Sequence, residues 1–480
     1  MNRNLIAFLT VAIALPAAAQ VVTLDSCRSM AVRNNKTIAI AEQNIKGAGY
    51  TRKAARGAYF PGIDFTGGYM YNQNQIELLG EDAKLPTMIF DPASQSYQYN
   101  LYSVGGVPVK DPSTGQVIPN EVAVIPKEAM SYDIHNVFAG AFTLTQPVFM
   151  GGQIKALNDI AKYAEGMARS ARGAVVEEVI YGVDAAYWQV VSLKEKKRLA
   201  ESLVGLVDSL KQNVGYMKRE GVATESDVLK VEVTYNEAQI ALTKVENGLT
   251  LSRMALAQLC GLPVNTVFEL ADEDEKFAPV APVVTPDMQE VYARRHDLET
   301  LRQSVGLLKG QEKLALGAML PKVAAIGMYA FSNPNVNHGF EKKFGGGFSV
   351  GATVTIPLIH WGGNYYKYRA AQSATTAQRL LIEDLEEKVD LQVSQARFSF
   401  EEAYKTYDMT VSNMKSADAN LHNAQVGFRE GVLTADDVIA AQTAWVKANS
   451  ERIDAEIGIR LCRTYLSKVM GTLGTEGARI

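Results

Sequence analysis

The chain is poor in the residues on which most small-molecule chemistry is built. Its 480 residues include three cysteines, five histidines and three tryptophans. Cys27, Cys260 and Cys462 are scattered and form no CxxC, so they read as no disulfide framework. His135, His296, His338, His360 and His422 are isolated and lack the spacing of a metal-ligand set. Gly67, Gly68 and the run Gly345 to Gly347 are followed by no Lys-Ser/Thr, which speaks against a phosphate cradle. No nucleophile elbow is present either, so an enzyme reading finds no support and no cofactor is called for. The net charge of −4 gives no electrostatic footprint for nucleic acid. No apolar run of about 18 residues exists, which excludes a membrane-spanning helix.

Proline is missing in a more informative way. The chain has 16 prolines, yet none falls within 148–262 or 358–480. Proline ends or kinks helices, so stretches of this length without it indicate long helices. Apolar residues recur there at helical spacing: Val176, Val179, Ile180, Val183, Tyr187 and Val190 in one region, and Leu385, Val389, Val393, Ala396, Phe400, Ala403 and Tyr407 in the other. A helix over 150–215 is roughly 100 Å long at 1.5 Å per residue. Helices of that length pack side by side, here as antiparallel pairs. The charge runs at 194–198 (KEKKR) and 383–388 (EDLEEK) read as solvated helix faces.

The chain is written twice. EGVATESDV (220–228) returns as EGVLTADDV (430–438), identical at six of nine positions. The Ala-x-Gly-Ala-x-x-Pro stretch ending at Pro61 returns ending at Pro321. Thr145-x-Pro147 followed by Gly151-Gly152-Gln153 returns as Thr355-x-Pro357 followed, one residue later, by Gly362-Gly363-Asn364. The expected organisation is a secretory signal peptide over 1–19 (Arg3, an apolar run, Ala17-Ala18-Ala19), a first repeat over 20–270, a linker over 271–286, a second repeat over 287–471 and a tail over 472–480. The first repeat carries a 50-residue insertion relative to the second, from the spacings Pro61 to Pro147 and Pro321 to Pro357 (86 against 36). It falls within 72–134 and reads as one long loop.

The repeated turn combines a helix stop with a helix start. Gly221 and Gly431 suit the left-handed position that ends a helix. Thr224 and Thr434 suit N-caps, with Asp227 and Asp437 three residues on as capping-box partners. Leu433 and Val438 suit a hydrophobic staple. Arg219 and Arg429 stand just before the glycines.

Four segments alternate with period two: strands over 62–72 and 137–147 in the first repeat, and over 322–332 and 347–357 in the second. One face carries Ile63, Phe65, Tyr69, Phe138, Phe142, Tyr329, Phe348 and Val350; the other is small and polar. Their length of about 9–11 residues is that of a tilted transmembrane strand. Hairpins of a soluble sheet alternate in the same way. The signal peptide, the lack of any apolar helix and the duplicated helix–strand–strand–helix order decide for the barrel. Four strands cannot close a barrel, and open edges are not tolerated in lipid, so the chain must oligomerise.

In this order, twice, these motifs give a chain that resembles the TolC-like outer-membrane efflux proteins over about residues 22–471. The resemblance implies a mainly α fold with transmembrane β: a long antiparallel coiled-coil helical barrel, plus four strands per protomer in a trimeric 12-stranded β-barrel. It implies a homotrimer in the outer membrane of a Gram-negative bacterium, extending into the periplasm. Such a trimer is the exit duct of a tripartite efflux pump or type I secretion system, docking with a periplasmic adaptor and an inner-membrane pump of RND or ABC type. It places a periplasmic gate at Arg219, Gly221, Thr224, Asp227, Arg429, Gly431, Thr434 and Asp437. Two positions of the family's latch fall on Leu433 and Ala440 here. Pro61, Pro147, Gly151, Gly152, Pro321, Pro357, Trp361, Gly362 and Gly363 become membrane-to-helix junctions, with Trp361 an interfacial anchor. The 72–134 segment, longer than the family's extracellular loops, would plug or cover the mouth. The alternative from the residues alone is a periplasmic coiled-coil scaffold or adaptor with a soluble β-domain.

Overall fold

A computed structural model describes residues 20–274 and 286–474. The expected signal peptide, most of the linker and most of the tail lie outside the described residues. The duplication is visible in helix lengths. Helices α2 (Lys36–Gly57) and α6 (His296–Gly317) have 22 residues each. Helices α3 (Gln153–Arg219) and α7 (Gly363–Arg429) have 67 each, and α4 (Glu225–Leu259) and α8 (Ala435–Val469) have 35 each. Short helices α1 (Leu24–Asn34) and α5 (Met288–Arg294) precede α2 and α6. The described residues divide into two compact units, one drawn from 20–54, 156–312 and 367–474, the other from 55–155 and 313–366.

The first unit is helical. Strand β1 (Gln20–Val22) pairs in parallel with β4 (Phe268–Leu270), tying the start of the described chain to the segment after α4. The stripe read from the sequence becomes core: Val179, Val183, Tyr187 and Val190 pack with Cys27, Ala31, Ile38, Leu249 and Leu256. Its counterpart in the second repeat joins Val389, Val393 and Ala396 to Val291, Leu298, Leu466 and Val469. Each fully buried aliphatic side chain stabilises by about 1.5–3 kcal/mol, so these stripes hold α1 to α4 in one repeat and α5 to α8 in the other.

Charge is also used inside this unit. Arg28 donates to both carboxylate oxygens of the fully buried Asp184, at 2.8 and 2.6 Å. The Tyr187 hydroxyl donates to Asp272 at 2.7 Å. The run at 194–198 is not the solvated face expected. Lys196 pairs with Asp454 of α8 at 2.6 Å, Lys197 with Glu246 of α4 at 2.9 Å, and Lys194 with the buried Glu273 at 3.4 Å. A charge run looks the same in sequence whether water or a neighbouring helix faces it.

The second unit holds a four-stranded antiparallel sheet in the order β6-β5-β3-β2. Strand β2 is Gly62–Tyr71, β3 is Asn136–Met150, β5 is Lys322–Asn333 and β6 is Gly345–Thr355. Pro61 and Pro321 directly precede β2 and β5, where no ladder N–H is needed. Pro147 does not end β3; the strand runs on to Met150 through a register shift between Pro147 and Phe149. Proline has no N–H to give the ladder, and the bulge removes the need for one. Pro357 lies beyond β6, which ends at Thr355.

Register brings the aromatic residues to one face. Tyr69 opposes Phe138, Phe65 opposes Phe142, and Tyr329 opposes both Phe142 and Phe348. The Phe65–Phe142 and Tyr69–Phe138 ring centroids lie 4.9 and 4.8 Å apart. Glycine makes room for the rings: a Cβ on Gly140 would meet the Phe331 ring at 2.7 Å, and one on Gly67 the Phe65 ring at 2.9 Å. These faces are open, with Phe65 59%, Phe348 72% and Val350 74% exposed.

The 72–134 segment is not a structureless loop. Ile76–Glu77 pairs with Ser131–Tyr132, Ala83–Pro86 with Val122–Ile125, Met88–Asp91 with Ser96–Tyr99 and Ser103–Val104 with Val107–Pro108. Its prolines and turn residues hid short strands of two to four residues, too short for alternation to register in sequence.

The buried ion pair gives a test. Asp184→Ala leaves the Arg28 guanidinium without its bidentate partner and is expected to destabilise by about 3 kcal/mol. Denaturant titration followed by helical circular dichroism reads this, and an unchanged midpoint would remove the pair from the account of the helical core.

Candidate gate and membrane junctions

The two EGV turns are built alike. Gly221 and Gly431 adopt φ of +81° and +72°, the left-handed conformation that glycine takes without a Cβ penalty. The Val222 N–H donates to Met217 O at 2.9 Å and the Gly221 N–H to Lys218 O at 3.0 Å, closing the end of α3. Val432 donates to Gly427 O at 2.8 Å and Gly431 to Phe428 O at 3.1 Å, closing α7 in the same way. Both next helices start in a full capping box. The Thr224 and Thr434 hydroxyls accept from the N–H groups of Asp227 and Asp437, and those carboxylates accept from the threonine N–H groups at 2.9 and 2.8 Å. Hydrogen bonds from each Thr hydroxyl and N–H hold the Asp227 and Asp437 carboxyls below the usual carboxylate range.

The arginines are not brought to these aspartates. Arg219 lies over the Tyr216 ring, 4.5 Å from its centroid, and donates to Gly215 O. Arg429 is exposed at the last turn of α7. What joins the two hairpins is a pair that sequence reasoning missed: Lys230 of α4 and Asp436 of α8 at 2.8 Å. Beneath it, Val207, Leu210, Val214 and Val231 of the first hairpin pack with Leu421, Phe428, Val438 and Ala441 of the second. A second ion pair, Lys218–Glu225, closes the first turn on itself.

All three positions at which the nine-residue copies differ have a job. Asp436 stands where the first copy has Ser226, and makes the cross-hairpin pair. Glu225 stands where the second has Ala435, and pairs within its own turn. The third is an exchange of volume. Leu433 lies over Gly427, where a Cβ would meet its Cδ1 at 2.8 Å, while the first copy sets small Ala223 beside large Met217. Leu433 is thus occupied in packing back onto α7.

At the junctions the repeat keeps a constant offset of 210, not the one-residue slip read from the sequence. Gly151 and Gly152 at φ +60° and +78° precede α3; Trp361 and Gly362 at +46° and +79° precede α7. Trp361 is therefore the counterpart of Gly151, and Gly363 is already the first residue of its helix. Gly151 has a steric reason to be glycine, since a Cβ would fall 2.5 Å from Gly317 O. Trp361 meets no such wall and is 93% exposed, held in a conformation that non-glycine residues rarely adopt.

Two outcomes follow. Thr224→Ala and Thr434→Ala each remove one cap and are expected to cost about 1 kcal/mol in denaturant titration. Because the folded Asp227 and Asp437 values are lowered, the capping contribution is present above about pH 4 and is lost as pH falls through them. Equal alanine penalties at pH 7 and pH 2.5 would contradict that. At the junctions, Trp361→Gly is expected to stabilise by about 1 kcal/mol by relieving the left-handed backbone, and Gly151→Ala to destabilise by more than that. Thermal melts of the two variants in detergent check the opposite signs.

Comparisons with known proteins bear on the family and the fold. Residues 125–262 and 288–472 match the family model for outer membrane efflux protein. The chain is 21% identical over 343 residues to protein CyaE of Bordetella pertussis, covering 70% of each. Among solved structures, CusC, described with transmembrane channel formation, superposes with a TM-score of 0.70 at 13% identity, covering 93% of this chain and 91% of that one. The open state of the Neisseria gonorrhoeae MtrE outer membrane channel gives 0.66 at 16% identity, covering 94% and 89%. The fold is that of the outer-membrane channels, a helical barrel plus a β-barrel, and its neighbours are channels rather than enzymes. With two thirds of its length in the matched segments, the chain belongs to the outer membrane efflux protein family.

Proposed function

We propose that three copies of this chain form the outer-membrane exit duct of a tripartite efflux pump or type I secretion system. The observation that carries this is the sheet: among the described residues β2 and β6 each pair on one side only. Inside lipid an unpaired edge costs several kcal/mol per group, and three copies placed edge to edge give twelve strands and no edge. The exposed aromatic face then meets hydrocarbon, and Trp361 anchors at the interface. The apolar face argues against the periplasmic scaffold with a soluble β-domain, which would leave Phe65, Phe348 and Val350 in water.

The hairpin turns form the closable periplasmic end. Arg219, Arg429 and the Lys230–Asp436 pair are exposed, so each contact is worth about 0–1 kcal/mol. Repetition around three copies gives a closed state of a few kcal/mol, within the range that a docking partner shifts. That partner is a periplasmic adaptor, coupled to an inner-membrane pump of RND or ABC type. A groove of about 510 Å³ between α4 and α8 offers it a surface. There the Gln442 Oε1 is buried without a hydrogen-bond partner.

Two measurements test the reading. Native mass spectrometry in detergent is expected to give a trimer; a monomer that stays in solution without detergent rejects the duct. In planar bilayers, the combined variant Arg219→Ser, Arg429→Ser, Lys230→Gln leaves both capping boxes intact. Its open probability is expected to rise about tenfold, the equivalent of 1.4 kcal/mol, and conductance indistinguishable from wild type rejects the gate.

A further inference from the structure

The 72–134 insertion carries an apolar face that stays exposed among the described residues. Met88–Asp91 and Ser96–Tyr99 form a hairpin whose turn is held by Asp91, which accepts from the Ala93 N–H at 2.9 Å and the Ser94 hydroxyl at 2.7 Å. Directly opposed residues share a face of an antiparallel pair. Met88 opposes Tyr99 and Phe90 opposes Tyr97, so these four lie on one side; Asp91, Ser96 and Gln98 lie on the other, with Ile89. The four are 52%, 60%, 52% and 69% exposed in that order, and the Phe90 and Tyr97 rings touch edge to face at 5.5 Å. A two-stranded hairpin is marginal in water on its own, and a large exposed apolar patch marks a contact surface.

The route of the chain says what covers it. The insertion prolongs the β2–β3 ladder: Asn72 donates to His135 O, Ile76–Glu77 pairs with Ser131–Tyr132, Ala83–Pro86 with Val122–Ile125, and Thr87 donates to Glu121 O. The outgoing strand of this ribbon continues β2, the strand whose other edge is unpaired in the sheet. Along β2 that edge is the one a neighbouring copy seals. We infer that the Met88, Phe90, Tyr97 and Tyr99 face packs against the insertion of the adjacent copy, so that the seam between protomers continues beyond the barrel as a collar of insertions. The inference rests on the trimer proposed above and extends it to residues 72–134.

Full-length protein bearing Cys462→Ser tests it, since Cys27 and Cys260 are 1% exposed. Tyr97→Cys, on the apolar face, and Gln98→Cys, on the opposite face, are each treated in detergent with a short bis-maleimide. The expected result is covalent dimer and trimer from Tyr97→Cys at several times the yield from Gln98→Cys. Phe90→Ser with Tyr97→Ser is expected to lower the temperature at which the trimer dissociates. A trimer whose Tyr97→Cys and Gln98→Cys variants cross-link equally, or not at all, with unchanged heat stability, overturns the collar and leaves the duct standing. Protection of Tyr97→Cys from a bulky maleimide in cells but not in the purified trimer gives the face to another partner and also overturns it. Absence of any trimer removes the duct, and the collar with it.

Discussion

The edges of a four-stranded sheet set the terms for the whole molecule. Over most of their length β3 and β5 have a strand on either side, while among the described residues β2 and β6 each present a free row. Water satisfies such a row and hydrocarbon does not. A family of outer-membrane channels therefore needs chains that are incomplete alone, and this chain shows the incompleteness directly. The same requirement explains the open aromatic face, which is the correct outer surface of a barrel and an awkward one for a soluble sheet.

Within the sheet, the aromatic face is organised by its glycines. Gly67 and Gly140 lack the Cβ atoms that would otherwise strike the Phe65 and Phe331 rings. The rings lie across the strands, and the face stays continuous.

Duplication supplied two similar hairpins, and divergence fitted them to one another. What the two turns share is what any tight helix–helix turn needs, a left-handed glycine and a threonine–aspartate box. What they do not share makes them different halves of one object. Asp436 reaches Lys230 of the other hairpin, Glu225 closes its own turn on Lys218, and Leu433 fills the space above Gly427. The same holds at the junctions, where a constrained Gly151 in one repeat is matched by a protruding Trp361 in the other.

By itself the sequence determined the long helices, the capped turns, the four strands, the doubled order and, through these, the family. Each is local: proline absence, period and capping spacing act within a few residues, and repetition reinforces a weak signal. Tertiary structure alone decided the rest. It turned the 194–198 charge run inward as interhelix pairs, carried β3 past Pro147 on a bulge, and folded 72–134 into strand pairs. It also set Trp361, rather than a glycine, at the left-handed junction position and kept the arginines away from the capping aspartates. These depend on which groups distant parts of the chain bring within a few ångströms, and residue type and spacing carry no record of that.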